Sequence, residues 1–198
     1  MSNPDALLHD FQSITEPLRL EELFVTPQPT ELEIGCGDGG FLLEHAQRHP
    51  ERNFLGVERL LGRVRKLSKN GQRADLTNLR LLRIEARYVL DYLLPERAFS
   101  AAHVYFPDPW PKDKHARHRL IQPDFLPRIR RVLAPGGVLY LRTDDLPYFE
   151  QMQETFRGAD GFTEEPTPAA LSEISTEFER QWLAEGKRTH FAAYCLNG

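Results

Sequence analysis

Cysteines and long apolar runs are both scarce in this chain of 198 residues. No run of about 18 apolar residues occurs, so the sequence predicts no membrane-spanning helix. The first residues lack the basic and then apolar pattern of a secretory signal, and we expect none. The two cysteines, Cys36 and Cys195, lack the spacing of metal ligands. We interpret them as free thiols of a cytoplasmic protein that holds no metal.

Excess charge is also limited: the net charge is −4, which by itself does not indicate a nucleic-acid partner. The distribution of charge is more informative. Residues 59–73 contain six Arg or Lys and no acid, and residues 112–131 contain seven against two acids. Residues 144–185 contain eleven acids against two arginines. The basic stretches favour a surface that follows RNA phosphates, although solvated helix faces would have the same composition.

A glycine-rich stretch, ELEIGCGDGG at residues 31–40, has the pattern of a strand, a tight turn and the start of a helix. Its first, second and fourth glycines fit the G-x-G-x-x-G pattern of dinucleotide sites. Glu33 and the first three glycines, Gly35, Gly37 and Gly39, fit E-x-G-x-G-x-G, which is typical of S-adenosylmethionine sites. Glycines suit either site, because a Cβ would block a ligand lying on the turn. The pattern alone therefore leaves both cofactors open.

Strands and helices alternate along the rest of the chain. Expected strands lie at residues 31–34, 53–57, 79–84, 101–106, 138–141 and 191–196. Expected helices lie at residues 59–73, 88–94, 123–133 and 146–156. We expect Pro135-Gly136-Gly137 to form a turn and residues 161–168 to be mostly loop. This alternation predicts an α/β fold: a doubly wound, Rossmann-like sheet, mostly parallel, over residues 30–198, with an N-terminal arm at residues 1–29.

Ligands of such sheets bind beyond the carboxyl ends of the strands. Acidic residues lie at or just after the end of five expected strands: Glu33, Glu58, Glu85, Asp108 and Asp144. A carboxylate at Glu58 would accept hydrogen bonds from a ribose diol, and Glu85 could accept one from an adenine amino group. A helix-terminal or plain surface acid is the alternative interpretation of either residue. We expect the five acids to converge on one edge of the sheet.

The stretch after the fourth expected strand, FPDPW at residues 106–110, distinguishes the cofactors. Two prolines flank Asp108 and restrict the backbone on both sides of it, so we expect a stiff loop. A stiff loop can hold this carboxylate where a methyl group is transferred. Phe106 and Trp110 offer faces on which a base could stack. Hydride transfer has no evident use for such a loop, which favours S-adenosylmethionine over NAD.

Six segments carry a resemblance to a known family: ELEIGCGDGGF, FLGVE, NLRLLRIEA, YFPDPWPKDKHARHRLIQPDFL, LAPGGVLYLRTD and STEFERQ. Through them, the chain from residue 31 to its C-terminus resembles the tRNA (guanine-N7-)-methyltransferases. The FPDPW segment and its basic continuation are the most specific part. The resemblance implies the methyltransferase form of the doubly wound fold, with an antiparallel last strand. It also implies S-adenosylmethionine as methyl donor and the variable-loop guanine of tRNA as acceptor, which becomes 7-methylguanosine.

The resemblance also implies roles for individual residues. Its donor-site positions are Glu33, Glu58, Glu85 and Asp108, to which the turn adds Gly35, Gly37 and Gly39. Asp108 is also the catalytic position. Substrate-binding positions are Lys112, Asp144, Thr176, Glu177, Phe178 and Glu179. From the basic stretch we expect phosphate contacts by Lys114, Arg117 and Arg119. Two positions depart from the family pattern: Glu85 stands where Asp is common, and His118 interrupts a basic run.

Guanine N7 has an in-plane lone pair and no hydrogen, so its methylation needs no general base before transfer. The enzyme's tasks are alignment of the reacting atoms and hydrogen bonding that fixes the base. A carboxylate can accept from guanine N1–H and N2–H, and we expect Asp108 or Asp144 to do so. We expect Thr176 and Glu179 to contact a guanine edge or a 2′-OH, although the same residues would suit a helix N-cap.

Two other functions fit part of the sequence. A methyltransferase acting on another base, such as adenine N6, would share the donor site, but its loop is usually D/N-P-P-Y/F rather than D-P-W. A non-catalytic RNA-binding protein could retain the fold, but it would not need the glycines and acids of a donor pocket. We expect tRNA as the partner, no membrane association, and a monomer or homodimer.

Overall fold

The computed structural model describes residues 5–176, 179, 186 and 188–198. Glu177 and Phe178, two of the expected substrate-binding residues, lie outside this part of the chain. The strands within it are β1 (Thr30–Ile34), β2 (Asn53–Glu58), β3 (Leu79–Arg83), β4 (Phe99–Tyr105), β5 (Leu133–Thr143), β6 (Phe162–Glu165) and β7 (His190–Leu196). They form one sheet in the order β3-β2-β1-β4-β5-β7-β6.

The strand directions follow the expected pattern. Parallel pairing joins β1 to β2 and to β4, β2 to β3, and β4 to β5. The last strand, β7, is antiparallel to both β5 and β6. The predicted doubly wound, mostly parallel sheet with an antiparallel last strand is confirmed.

Helices of the described residues are α1 (Leu20–Leu23), α2 (Leu42–Arg48), α3 (Leu61–Arg73), α4 (Ala86–Tyr88), α5 (Phe125–Val132), α6 (Leu146–Phe156) and α7 (Ala169–Ser172). A π-helical turn (Val89–Leu93) follows α4, and a 3-10 helix (Asp113–His118) precedes α5. The predicted bounds of α6 are confirmed, whereas α5 begins two residues later than expected. In the described ranges, no helix combines the length and apolar character needed to cross a membrane. Both cysteines are free thiols.

The fifth strand is longer than predicted. β5 begins at Leu133 and contains Pro135-Gly136-Gly137, which we expected to form a turn before the strand. Its pairing with β4 shifts register at this point. Gly136 has φ of +74°, and a Cβ on Gly137 would lie 2.8 Å from the carbonyl oxygen of Ala134, so the chain turns tightly within the strand. A strand can therefore pass through this turn-like sequence.

A hydrophobic core lies on each face of the sheet. Leu55 and Val57 of β2 belong to the larger core, which packs against α5, α6 and the π-helical turn. Phe54, on the opposite face of the same strand, belongs to the smaller core with residues of α2 and α3. Every residue of β1 and β2 is buried. Charged side chains of these strands, such as Glu31 and Glu33, are therefore buried as well.

Residues of the expected N-terminal arm pack on this domain. Leu7 belongs to the smaller core, whereas Leu18 and Leu23 belong to the larger one. Beside the edge strand β3, the Leu81 amide donates to the Leu7 carbonyl at 2.9 Å, and the His9 amide donates to the Leu81 carbonyl at 2.8 Å. The arm thus covers part of an edge whose backbone groups would otherwise face solvent.

Gly56 in β2 tests how closely α2 packs on the sheet. A Cβ at Gly56 would lie 2.6 Å from Leu42 Cδ2 and 2.9 Å from Cys36 Sγ. We expect Gly56→Ala to lower the free energy of unfolding by about 1–3 kcal/mol, because these buried neighbours have no room to move away. Gly62→Ala in α3 is the control: its Cβ would meet no atom within 4 Å, and it should raise stability by roughly 0.5–1 kcal/mol. Urea unfolding compares the two, and equal effects would contradict this packing.

Candidate active site

A pocket with a volume of about 580 Å³ lies at the carboxyl ends of β1 to β4. Gly35 after β1, Glu58 at the end of β2, Glu85 after β3 and Asp108 after β4 all line it. Of the five acids expected to converge, Glu58, Glu85 and Asp108 line this pocket, and Glu33 does not. Asp144 follows β5 and is half-buried, but it does not line this pocket.

The glycine turn after β1 leaves room beside it. Gly35 and Gly37 have φ of +79° and +56°, and a Cβ on either would meet no atom within 4 Å. Gly39 has a different role, since a Cβ there would lie 2.1 Å from Leu67 Cδ1 of α3. The first two glycines thus present an open backbone surface, whereas the third lets the turn pack on α3.

Glu58 is fixed against this turn before any ligand binds. Its Oε2 accepts a hydrogen bond from the Gly37 amide at 3.2 Å, and its Oε1 accepts one from the Leu60 amide at 2.8 Å. Glu85 is exposed, and its Oε2 accepts from the Tyr88 amide at 2.8 Å, which caps α4. Both carboxylates therefore have defined positions and retain free acceptor capacity toward the pocket.

Glu33 lies under the turn and is 4% exposed. Its Oε2 is buried and has no hydrogen-bond partner among the described residues. Burial raises the pKa of Glu33 to about 8, an effect that the positive charge of Arg142 opposes and the negative charge of Glu58 strengthens. A buried carboxyl group with an unpartnered oxygen is suited to meet a positively charged ligand group.

The FPDPW loop also lines the pocket. Phe106, Asp108 and Trp110 all line it, and Asp108 is exposed. Phe106 and Trp110 have φ of +51° and +43°, in the left-handed region that non-glycine residues rarely adopt. Strained residues of this kind concentrate at functional sites.

The expected phosphate contacts divide into two groups. Lys112, Lys114 and Arg117 are exposed on or beside the 3-10 helix, and Arg117 also lines the pocket. Arg119, in contrast, is buried, and its Nε donates to the Pro109 carbonyl at 2.7 Å. The expected phosphate contact of Arg119 does not fit this placement, because its guanidinium donates hydrogen bonds to other groups of the protein.

Thr176 and Glu179, for which a guanine contact and an N-cap were both considered, bond to each other. The Glu179 amide donates to Thr176 Oγ1 at 3.1 Å, and the Thr176 amide donates to Glu179 Oε2 at 2.8 Å, which is the reciprocal pattern of a capping box. Glu179 is 3% exposed and lies 3.4 Å from the Arg142 guanidinium. Its carboxylate therefore caps the chain and compensates a buried cation, as the N-cap alternative predicts.

Arg142 is a residue that the sequence analysis did not single out. It is 1% exposed, and its Cζ lies 4.0 Å from the centre of the Tyr105 ring. Its Nη1 donates to the Ile174 carbonyl at 3.0 Å, and Nη2 donates to the Leu171 carbonyl. This arginine ties the segment after α7 to the end of β5, beneath the pocket. An arginine inside an otherwise apolar strand was the available signal.

A second buried network joins Glu31, His45 and His103, side chains of the kinds that bind metals. The two Nε2 atoms lie 3.0 and 2.8 Å from Glu31 Oε2, and Arg52 donates to Glu31 Oε1. Burial alone would raise the pKa of Glu31, but the hydrogen bonds from His103 and His45 outweigh it and hold that pKa well below its ordinary value. His103 Nδ1 lies 2.8 Å from the Tyr105 hydroxyl, which connects the network to the pocket wall.

Fold and pocket together define the class of the protein. The solved 16S rRNA methyltransferase KamB has a similar fold, with a TM-score of 0.65 at 18% identity, over 90% of this chain and 93% of that chain. This chain has a doubly wound sheet with an antiparallel last strand, an open glycine turn after β1 and acids at the next strand ends. Together these features are those of the Rossmann-like methyltransferase fold.

Sequence comparison identifies the family. The Methyltransf_4 family model, which describes a methyltransferase family, matches residues 27–192. The tRNA (guanine-N(7)-)-methyltransferase of Syntrophotalea carbinolica is 34% identical over 190 residues, which cover 94% of this chain and 82% of that protein. The one from Thermotoga maritima is 34% identical over 174 residues, which cover 87% of this chain and 56% of that protein. The chain belongs to the tRNA (guanine-N7-)-methyltransferase family.

Glu33→Gln should stabilise the protein without ligand in alkaline solution. Because the folded-state pKa is raised from 4.5 to about 8, ionisation of Glu33 costs stability as the pH rises through this range. The cost is about 1.4 kcal/mol per pKa unit, and a glutamine avoids it. We expect a higher free energy of unfolding than wild type at pH 9, and a difference that shrinks toward pH 5. Glu150→Gln, an exposed change on α6, is the control. A Glu33→Gln protein less stable than wild type at pH 9 would contradict the burial cost.

Proposed function

We propose that the protein transfers a methyl group from S-adenosylmethionine to N7 of a guanine in tRNA. One observation carries this proposal: a single pocket is lined both by Gly35 and Glu58, which we call the first wall, and by the FPDPW loop, which we call the second wall. The first wall suits a nucleoside-containing donor, and the second suits a stacked base beside a carboxylate. The names of the Syntrophotalea and Thermotoga relatives support the same substrate.

The residues of the first wall fit the donor. Glu58 would accept from its ribose hydroxyls, and Glu85 from its adenine amino group. The unpartnered oxygen of Glu33 would accept from its ammonium group. The open space beside Gly35 and Gly37 leaves room for a ligand against the backbone. When bound, the donor supplies a methyl group already activated by a sulfonium, so the transfer requires no metal.

The second wall would fix the guanine. Phe106 and Trp110 would stack on the base, and Asp108 would accept from guanine N1–H and N2–H. Of the two acids considered for this contact, Asp108 lines the pocket and Asp144 does not. Because N7 carries a lone pair and no hydrogen, the protein's contribution is alignment and not proton removal.

The rest of the tRNA would be held by charge. Lys112, Lys114 and Arg117 are exposed next to the FPDPW loop, where RNA phosphates would lie once the guanine is in the pocket. The target base would have to leave its stack to reach Asp108. With tRNA as its substrate, the protein would act in the cytoplasm.

Methylation of unmodified tRNA by the purified protein tests the proposal. We expect transfer of labelled methyl to tRNA, and strand cleavage at 7-methylguanosine should map it to the variable loop. Asp108→Asn should lower the single-turnover rate at least tenfold, because an amide cannot accept both guanine N–H groups with its single oxygen. Methyl groups found on adenine N6, or tRNA binding without any transfer, would favour the other functions considered above.

The phosphate contacts can be tested separately. The double variant Lys114→Ala/Arg117→Ala should reduce the slope of log K against log salt concentration by roughly 0.7 to 0.9 for each lost contact. Arg130→Ala is the control from the same basic stretch, because Arg130 is exposed on α5 and donates to the Asp160 carbonyl at 3.3 Å. An unchanged slope in the double variant would show that these cations only solvate the surface.

A further inference from the structure

The guanidinium of Arg119 connects the FPDPW loop to α6. Its Nε donates to the Pro109 carbonyl at 2.7 Å, and Nη1 donates to Gln151 Oε1 on α6. Its Cζ lies 4.9 Å from the centre of the Tyr148 ring, also on α6. Only 9% of Arg119 is exposed, so these contacts are shielded from solvent.

The partners of Arg119 are themselves held in place. Tyr148 is fully buried, and its hydroxyl accepts from the Ile121 amide at 2.9 Å. Gln151 Nε2 donates to the Ile121 carbonyl at 3.2 Å. Arg87 Nη2 donates to the carbonyl of Arg119 itself at 2.7 Å. The guanidinium is thus anchored on a packed helix, which is the kind of support that accurate placement of a loop requires.

The loop needs an anchor of this kind. Its two left-handed residues, Phe106 and Trp110, have strained backbones that persist only where the surroundings hold them. Its two prolines have no N–H with which to bond. At the start of the loop, the Phe106 amide donates to the Arg142 carbonyl at 2.8 Å. At the other end of the loop, Arg119 donates to the carbonyl of Pro109, the residue that follows Asp108.

We propose that Arg119 is a positioning residue for methyl transfer, which holds the Pro109 carbonyl and thereby keeps the Asp108 carboxylate in the pocket. The role rests on the proposed function, in which Asp108 fixes the guanine. A guanidinium is needed, because its planar fork can reach two acceptors while stacking on an aromatic ring, and an ammonium cannot. Misplacement of a catalytic group by about 1 Å can cost on the order of 100-fold in rate.

Arg119→Lys tests this role, with Arg131→Lys as its matched control. Arg131 donates to the carbonyls of Leu94 and Leu90 at 2.9 and 2.6 Å, and none of these three residues lines the pocket. Both changes keep the positive charge, and each replaces a guanidinium that donates to at least one backbone carbonyl. At saturating donor and tRNA, we expect Arg119→Lys to lower the single-turnover rate at least tenfold and Arg131→Lys to lower only the melting temperature. Both variants should retain the wild-type salt dependence of tRNA binding.

A fluorescence measurement tests the same role without activity. The chain has two tryptophans, and in a Trp182→Phe background Trp110 reports on the loop alone. We expect Arg119→Lys to increase acrylamide quenching of Trp110, because the loop loses its anchor, and Arg131→Lys to leave it unchanged. Gln151→Leu removes the acceptor of Nη1 and should cause a smaller rate loss that is not additive with Arg119→Lys.

Two results would overturn the inference. A wild-type single-turnover rate at saturation in Arg119→Lys would show that methyl transfer does not depend on this guanidinium. Equal rate losses, or equal quenching, in Arg119→Lys and Arg131→Lys would show general destabilisation. Failure of the wild-type protein to methylate tRNA, with the Trp110 difference intact, would instead contradict the proposed function and leave the anchoring of the loop established.

Discussion

The parallel direction of β1 to β4 is the constraint on which the rest of the structure depends. Because these strands end at the same edge, their parallel direction is enough to bring together the residues that follow them. The turn after β1 leaves space beside its backbone, and Glu58 is fixed against that turn by two backbone amides. The FPDPW loop after β4 lines the same pocket.

Burial of the central strands decides what the charged side chains do. Glu31 is compensated by two imidazoles and Arg52, and Arg142 is compensated by Glu179 and two carbonyls. A buried charge without such partners would destabilise the fold by several kcal/mol. Glu33 differs, since one of its oxygens has no described partner and burial raises its pKa. Glu31 is thus a buried carboxylate with charged partners inside the fold, whereas Glu33 has one oxygen for which the described residues offer no hydrogen bond.

The sheet and the strand-end residues Glu58, Glu85 and Asp108 could be predicted from the sequence. The alternation of strands and helices, the glycine turn and the prolines are all visible in short stretches of the chain. The role of Arg119 could not, because a phosphate-binding arginine and one that anchors a loop have the same neighbours in the chain. Only the packing of α6 against the loop distinguishes them. Glu179 suited both a guanine contact and an N-cap, and its ion pair with the buried Arg142 depends on packing between distant parts of the chain that no local pattern shows.

Equilibrium binding of S-adenosylhomocysteine, the demethylated donor, tests most directly that this pocket is the donor site. Calorimetric titration should show one site per chain in the wild-type protein. Glu58→Gln should weaken the affinity at least tenfold, because an amide cannot accept from both ribose hydroxyls as a carboxylate does. The absence of binding, tight binding of NAD in its place, or equal affinity in the two proteins would contradict the assignment of this pocket.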